Sequence, residues 1–292
     1  MNYDIVLRIT HDYSNPAAAG RHLVRLMPAD LPGRQRLVAG LLEIIPTPDE
    51  RSDGQDFFGN AMTSFGFRGA HDTVALCVTA RVDRAHVRKN DTSVTLADLP
   101  ADTARIRDLG PDSPLHFLAG SHRAPLDAAM TAYASAILSP SMTACDVVEA
   151  IGMALHRDMT FDSEATTVDT SAAEAFAARR GVCQDFSHIM IACLRGVGIP
   201  AGYVSGFLRT RPPKGKPRLE GADAMHAWVR AWCGAQTGWI EYDPTNAVLV
   251  DTNHIVVAYG RDYFDVAPVK GMMRVSGGQT SEQAVDVIPL DP

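Results

Sequence analysis

The apolar period of this chain changes twice along its length, and each change restricts the folds open to it. Up to about residue 90 the period is two. Tyr3, Ile5, Leu7 and Ile9 alternate with Asp4, Val6, Arg8 and Thr10, which puts one set of side chains on one face of a strand. Further strand candidates run from His22 to Met27, from Leu37 to Ile45 before Pro46-Thr47-Pro48, and over 73–82, with a turn at Gly59-Asn60. Short strands punctuated by Pro and Gly predict an antiparallel, sandwich-like sheet. Residues 91–122 carry Gly110-Pro111 and Ser113-Pro114 and read as a linker with little regular structure. From about residue 125 the period lengthens, predicting helices over 125–137, 143–157 and 171–180. Ser171 and Glu174 fit a capping box at the start of the last. Alternation returns in 201–208, 224–232, 239–243, 254–259 and 282–288, interrupted by a polar loop over 211–223. The expected fold class is α+β: a β-rich, sandwich-like domain over 1–90, a linker over 91–122, and a core over 123–292 with helices packed on an antiparallel sheet.

Charge and length narrow the function. The 292 residues are 46% hydrophobic, enough for a large core, and carry a net charge of -7 from 27 Lys+Arg and 34 Asp+Glu with no basic tract. Nucleic-acid binding wants a concentrated positive surface, so it is disfavoured. No apolar run approaches the roughly 20 residues of a membrane-spanning helix. The opening MNYDIVLRIT reads as a strand, not a signal peptide, and a cytoplasmic protein with free thiols is expected. The five cysteines, Cys77, Cys145, Cys183, Cys193 and Cys233, match no zinc or thioredoxin spacing.

One of these cysteines differs from the rest. From Cys183, residues Phe186, Met190, Cys193 and Val197 follow at steps of three and four, the pattern of an amphipathic helix with a broad buried face. Gly198 and Pro200 stop it. Cys183 therefore sits in the first turn, where unpaired N–H groups and the helix dipole favour a thiolate and can stabilise an oxyanion. Gly181, just before it, is expected to let the chain turn sharply and the substrate approach. His226 lies on the strand 224–232 and Asp243 at the end of the strand 239–243. If Trp232 pairs with Trp239, Trp228 lies opposite Asp243, and His226 and Asp243 share one sheet face as diagonal neighbours. A Cys, His, Asp order of this kind suits a thiol nucleophile, its base and the group that orients the base. On residue chemistry alone the bland reading stays open beside it: a buried core thiol, a structural histidine and a turn aspartate. Cys193 falls in the apolar stripe, Cys233 lacks a visible base, and Cys183, Asp185 and His188 do not share a face that would hold a metal.

The segments RGVCQDFSHIMIACLRGVGIPAGYVSGFL (180–208), MHAWV (225–229) and GWIEYDPTN (238–246) together resemble the bacterial transglutaminase-like superfamily, in its branch of candidate cysteine proteases. His254 to Ala258 and Gly260 to Tyr263 are similar to the same branch. His11, Leu26, Pro28, Gly59-Asn60 and Phe65 resemble the β-rich region that precedes this core in bacteria. Met225 departs from the pattern, where a small polar residue is expected before the histidine.

The resemblance implies a papain-like, transglutaminase-like core with Cys183 as nucleophile, His226 as base and Asp243 as its partner. It also implies Gln184 as an aid to the oxyanion, and Trp228, Tyr203 and Trp239 as walls of the cleft. The implied function is hydrolysis of an amide or peptide through a thioester. The alternatives are acyl transfer from glutamine to an amine, and a non-catalytic module that binds proteins. Peptide or protein substrates are expected, with no cofactor and no catalytic metal, since no acidic calcium loop occurs.

Overall fold

The structure, a computed structural model, describes residues 1–86, 92–139, 141–210, 221 and 223–290. The loop expected over 211–223 lies outside the described residues apart from Gly221 and Asp223.

One long strand organises the N-terminal sheet. Strand β1 (Asn2–Val24) is followed by β2 (Gln35–Ile45), β3 (Glu50–Gln55), β4 (Ala61–Phe67) and β5 (His71–Arg84), in the order β2-β5-β1-β4-β3. The first half of β1 pairs with β5, Tyr3 opposite Val82 and Leu7 opposite Val78. The second half pairs with β4, His22 opposite Phe65. The register shifts between Asp12 and Ala17, an irregularity that bends a strand and changes its partners. The segments predicted over 3–10 and 22–27 are thus two ends of one strand in a curled sheet. Tyr3, Ile5, Leu7, Leu76, Val78 and Val82 are fully buried on its inner face, which explains the period of two.

The middle of the chain is helical. It comprises α1 (Leu99–Thr103), α2 (Ala128–Ser135), α3 (Ala144–Asp158), β6 (Thr160–Phe161), α4 (Ala172–Ala178), β7 (Arg180–Gly181) and α5 (Cys183–Gly196). The segment expected to be an irregular linker contains α1 and a 3-10 turn over Pro114–Phe117, and Leu99 and Phe117 are fully buried. That strap is part of the packing. The Ser171–Glu174 capping box forms at α4 as its spacing predicts, and Thr143 with Asp146 makes another at α3.

Helix α5 carries more buried surface than an amphipathic stripe. Every residue from Asp185 to Arg195 is buried, because α2, α3 and α4 pack around it on one side and the strands β8 (Ala201–Leu208) and β9 (Ala224–Trp232) on the other. The polar residues in that run are satisfied. Arg195 donates to the carbonyls of Ala201 (3.0 Å) and Arg261 (2.7 Å) and to the Ser121 hydroxyl (2.8 Å), as a buried guanidinium must.

The chain continues through β10 (Trp239–Asp243), β11 (Val248–Leu249), β12 (His254–Gly260), α6 (Tyr263–Val266), β13 (Val269–Arg274) and β14 (Gln279–Pro289). Strands β8 to β12 form an antiparallel sheet in the order β11-β10-β9-β8-β12. Trp232 lies opposite Trp239 and Val229 opposite Tyr242, the register that the tryptophan pairing predicts. The last two strands leave this sheet. β13 pairs with the second half of β1 and β14 with the first half, so residues 269–289, expected with the core, complete the N-terminal sheet.

The two sheets are joined along β12, an edge strand whose free backbone groups need partners. The Gln35 side chain accepts from the Val256 N–H (2.9 Å) and donates to the Val256 carbonyl (2.8 Å). Asn60 does the same at Tyr259, 2.7 and 2.8 Å. Arg84 donates to the His254 carbonyl at 3.0 Å.

A chain ending at Arg274 loses the β1–β14 ladder and the burial of Val285 and Val287, both fully buried. Two such side chains contribute about 3–6 kcal/mol. Thermal melting is expected to fall by on the order of 10 °C, with β1 amides losing protection from hydrogen exchange. Unchanged melting and full protection of β1 would contradict the coupling.

Candidate active site

Strand β7 runs parallel to β6, Phe161 opposite Gly181, and delivers the chain to the start of α5. Val182 is extended (φ -103°, ψ 178°) and occupies the N-cap position. Asp185, on the first turn, folds back: its carboxylate accepts from the Val182 N–H at 2.8 Å and from the Thr166 hydroxyl at 2.6 Å. This clasp gives Gly181 a different reason from the one expected. Its backbone is not in the left-handed region, but a Cβ there would lie 2.5 Å from the Asp185 carboxylate.

Cys183 stands half-buried at the first helical position. It shares with Gln184 the backbone N–H groups that no carbonyl within the helix can reach. The Gln184 side chain donates to the Val168 carbonyl at 3.3 Å. Its amide is thereby tied to the loop before α4, and its backbone N–H is the group presented at the helix start.

His226 lies on β9, opposite Gly206 of β8. Its Nε2 is 2.8 Å from Oδ2 of Asp243, so the diagonal relationship expected from the register is present. Nδ1 is the ring nitrogen that Asp243 does not engage. Burial works against charge on this ring, but the hydrogen bonds and charges of Asp243 and Cys183 outweigh it and raise its pKa to about 10. Asp243 is fully buried. Its Oδ1 accepts the N–H groups of Thr245 (3.0 Å) and Asn246 (3.2 Å), and Oδ2 accepts the Asn246 side chain at 2.7 Å. Desolvation pushes its pKa up, yet these bonds and the histidines hold it far below the usual carboxylate range.

A second histidine completes the group. His254, at the start of β12, places Nε2 3.2 Å from Oδ2 of Asp243. Trp228 packs edge-on to it, ring centroids 5.2 Å apart, and lies 6.2 Å from His226. The indole is fully buried and donates to Glu241 at 2.8 Å. Glu241 also holds the Tyr259 hydroxyl (2.9 Å) and pairs with Arg34. Room for this arrangement comes from Gly206, which lies on β8 between the two contributing strands. A Cβ there would fall 2.4 Å from the Trp228 ring and 2.2 Å from the Ile255 carbonyl, so side chains of β9 and β12 close over a bare stretch of β8. The glycine was visible in sequence as a break in a strand pattern, but nothing there said which strands flank it.

Tyr203 lies near enough to Cys183 to feel its charge. Tyr203 is buried against His188 and Tyr263, at 5.1 and 6.2 Å between ring centroids. The structure does not bring Trp239 to Asp243. It packs on Phe117 and under Arg230 and donates to the Asp112 carbonyl. Cys193 and Cys233 are fully buried, and burial raises the Cys193 thiol to about 12. His188 accepts the Tyr263 N–H at 3.1 Å and is held near 4 by burial. Among the described residues, His226, Asp243 and His254 are the one trio of potential ligand groups within 4.8 Å of one another. Each atom is already engaged in hydrogen bonding with another of the trio, which describes a proton-sharing network.

Comparison with known proteins decides the family. The transglutaminase-like superfamily model matches residues 131–244, and the bacterial transglutaminase-like N-terminal region matches residues 3–83. An uncharacterized protein of Mycobacterium tuberculosis is 37% identical over 262 residues, covering 88% of this chain and 83% of that protein. The chain belongs to the transglutaminase-like superfamily. An uncharacterized protein of Mycobacterium leprae is 31% identical over 291 residues, 97% of this chain and 99% of its own length. A candidate cysteine protease from Cytophaga hutchinsonii shares the fold, with a TM-score of 0.76 at 23% identity, covering all of this chain and 91% of that one. Another match is the periplasmic domain of TgpA from Pseudomonas aeruginosa, 15% identical, covering 83% of this chain and 88% of that one, with a TM-score of 0.37. The cytoplasmic expectation is not kept, and no compartment is assigned. No helix among the described residues is long and apolar enough to cross a membrane.

His226 binds its proton more tightly folded than free, with a pKa of about 10 against 6.5. Its stabilising contribution is therefore complete below about pH 6.5 and lost as pH rises through 10. Melting temperatures of the wild type and His226→Gln are expected to converge between pH 7 and 10. A constant gap across that range would contradict the assignment.

Proposed function

We propose that the protein is a cysteine-nucleophile amide or peptide hydrolase. The single observation that carries the proposal is the buried His226 imidazole, bonded to Asp243 and raised in pKa by Asp243 and Cys183 together. A protonated ring beside a helix N-terminus is the environment in which a thiol becomes a thiolate. Membership in the transglutaminase-like superfamily supports the same class of chemistry, hydrolysis or acyl transfer on peptide and protein substrates.

In the proposed cycle Cys183 Sγ attacks the carbonyl carbon of the substrate. The oxygen takes the negative charge facing the N–H groups of Cys183 and Gln184. His226 gives its proton to the departing amine, the C–N bond breaks, and a thioester remains. His226 then takes a proton from water, hydroxide adds to the thioester, and the C–S bond breaks to release the acid. Asp243 keeps the ring oriented and stabilises its cationic form. With an amine in place of water the second half-reaction becomes acyl transfer, the reading that the family favours as the alternative.

Alkylation by iodoacetamide, read by mass spectrometry from pH 5 to 9, separates these roles from a merely structural thiol. Cys77 is the internal control, being half-buried like Cys183. Cys183 is expected to react at least about tenfold faster than Cys77 at pH 6, and His226→Ala to remove most of that advantage. Equal rates at the two cysteines would sink the proposal. A glutamine peptide offered with a fluorescent primary amine then reports hydrolysis against transfer. Predominant amine incorporation would replace the hydrolase reading with the transferase one.

A further inference from the structure

The proposed mechanism uses one histidine, and the structure holds a second on the same carboxylate oxygen. His254 is buried, 4% exposed by its side chain, and both of its ring nitrogens face carboxylates. Nε2 is 3.2 Å from Asp243 Oδ2 and Nδ1 is 3.4 Å from Asp251 Oδ1. We propose that His254 is a positioning residue for the reaction, bridging Asp251 to Asp243 and fixing the carboxylate that orients His226. The proposal rests on the reading of Cys183 as nucleophile and adds to it a fourth and a fifth group.

The chemistry of the ring decides its charge. An ionised carboxylate only accepts, so both nitrogens donate together only when the imidazole carries two protons. The sequence Asp251, His254, Asp243, His226, Cys183 then alternates in sign, negative at each end. Other charged groups nearby are consistent with this. Arg84 on β5 meets the His254 carbonyl, not its ring. Glu241 and Arg34 pair with each other, Glu241 being bonded by the Trp228 indole. Burial and the like charge of His226 on β9 oppose a charged His254, and Asp243 and Asp251 outweigh both, raising the His254 pKa above its ordinary value. Asp251 is in turn drawn down to about 2, first by its bond from His254.

The arrangement has two consequences. Asp243 Oδ2 accepts from both rings and from Asn246, which leaves it little freedom to rotate away from His226. A positive charge on the far side of Asp243 also adds to the field in which the thiol ionises. Removing that charge disfavours a thiolate, so the acid limb of Cys183 reactivity moves to higher pH.

The test uses the full chain and the pH–rate profile of iodoacetamide alkylation at Cys183. In His254→Phe the acid limb is expected to rise by about half a pH unit or more, with a lower plateau. In His254→Gln a donor to Asp243 is restored without the charge, so the plateau recovers and the limb stays displaced. Asp251→Asn, which leaves Nδ1 without a carboxylate, displaces the limb in the same direction. A purely structural role would lower the melting temperature and leave the limb where it is; that result in the Phe and Gln variants overturns the proposal. Nitrogen-15 NMR of wild-type histidines is independent of how any variant folds. Two protonated ring nitrogens on His254 at pH 7 support the proposal, and a single proton overturns it. A wild type whose Cys183 reacts no faster than Cys77 removes the catalytic reading and this proposal with it. A reactive wild type with unmoved His254 variants removes this proposal alone.

Discussion

The arrangement of the candidate site depends on one buried carboxylate. Asp243 is fully excluded from solvent, and an ion in that position is tolerated only if its oxygens are saturated with donors. Five donors reach it: two backbone N–H groups, one amide and two imidazoles. They come from β9, from the turn after β10 and from β12, so satisfying one charge draws three segments together. Protonating Asp243 or moving any of these segments would leave polar groups stranded in the interior.

A parallel solution operates behind it. Glu241, two residues earlier on β10 and also buried, gathers Trp228, Tyr259 and Arg34, and its pKa falls to about 2 as Arg34 and these bonds overcome burial. Arg34 belongs to the turn before β2, so this second carboxylate also ties the N-terminal sheet to the core. The joint along β12 does the same with neutral amides, where Gln35 and Asn60 imitate the backbone of a missing neighbouring strand. The N-terminal sheet therefore buttresses the strand that carries His254.

Much of this was legible in the residues. The strands over 201–208, 224–232 and 239–243 are bounded by alternation and turns, and the register assumed for the last two, Trp232 opposite Trp239, is the one present. Cys183 at a helix start and Asp243 diagonal to His226 followed from those elements. The expectation failed where placement depended on long-range topology. His254 reads as the first residue of a strand, and only the sheet order together with the bare backbone at Gly206 brings it to Asp243. Residues 282–288 read as a strand, but alternation does not name a strand's partner, and the chain returns them to β1 within β14. Trp239 shares a hairpin with Asp243, yet four residues of extended chain carry it to the opposite end, against Arg230. Gly181 was noticed for freedom of the backbone, whereas the space it vacates is filled by a neighbouring carboxylate.

The return of β14 to β1 sets an order on biosynthesis. The pairing along β1 cannot be completed until β14 has been made; Leu290 donates its N–H to the Asn2 carbonyl at 2.9 Å. Until β13 and β14 are made, β1 carries an open edge of the kind that recruits other chains. Closure of the sheet joins segments far apart in the sequence, slow by its entropy. Because the same sheet supports β12, the strand that carries His254 is fully buttressed only after β14 has joined β1.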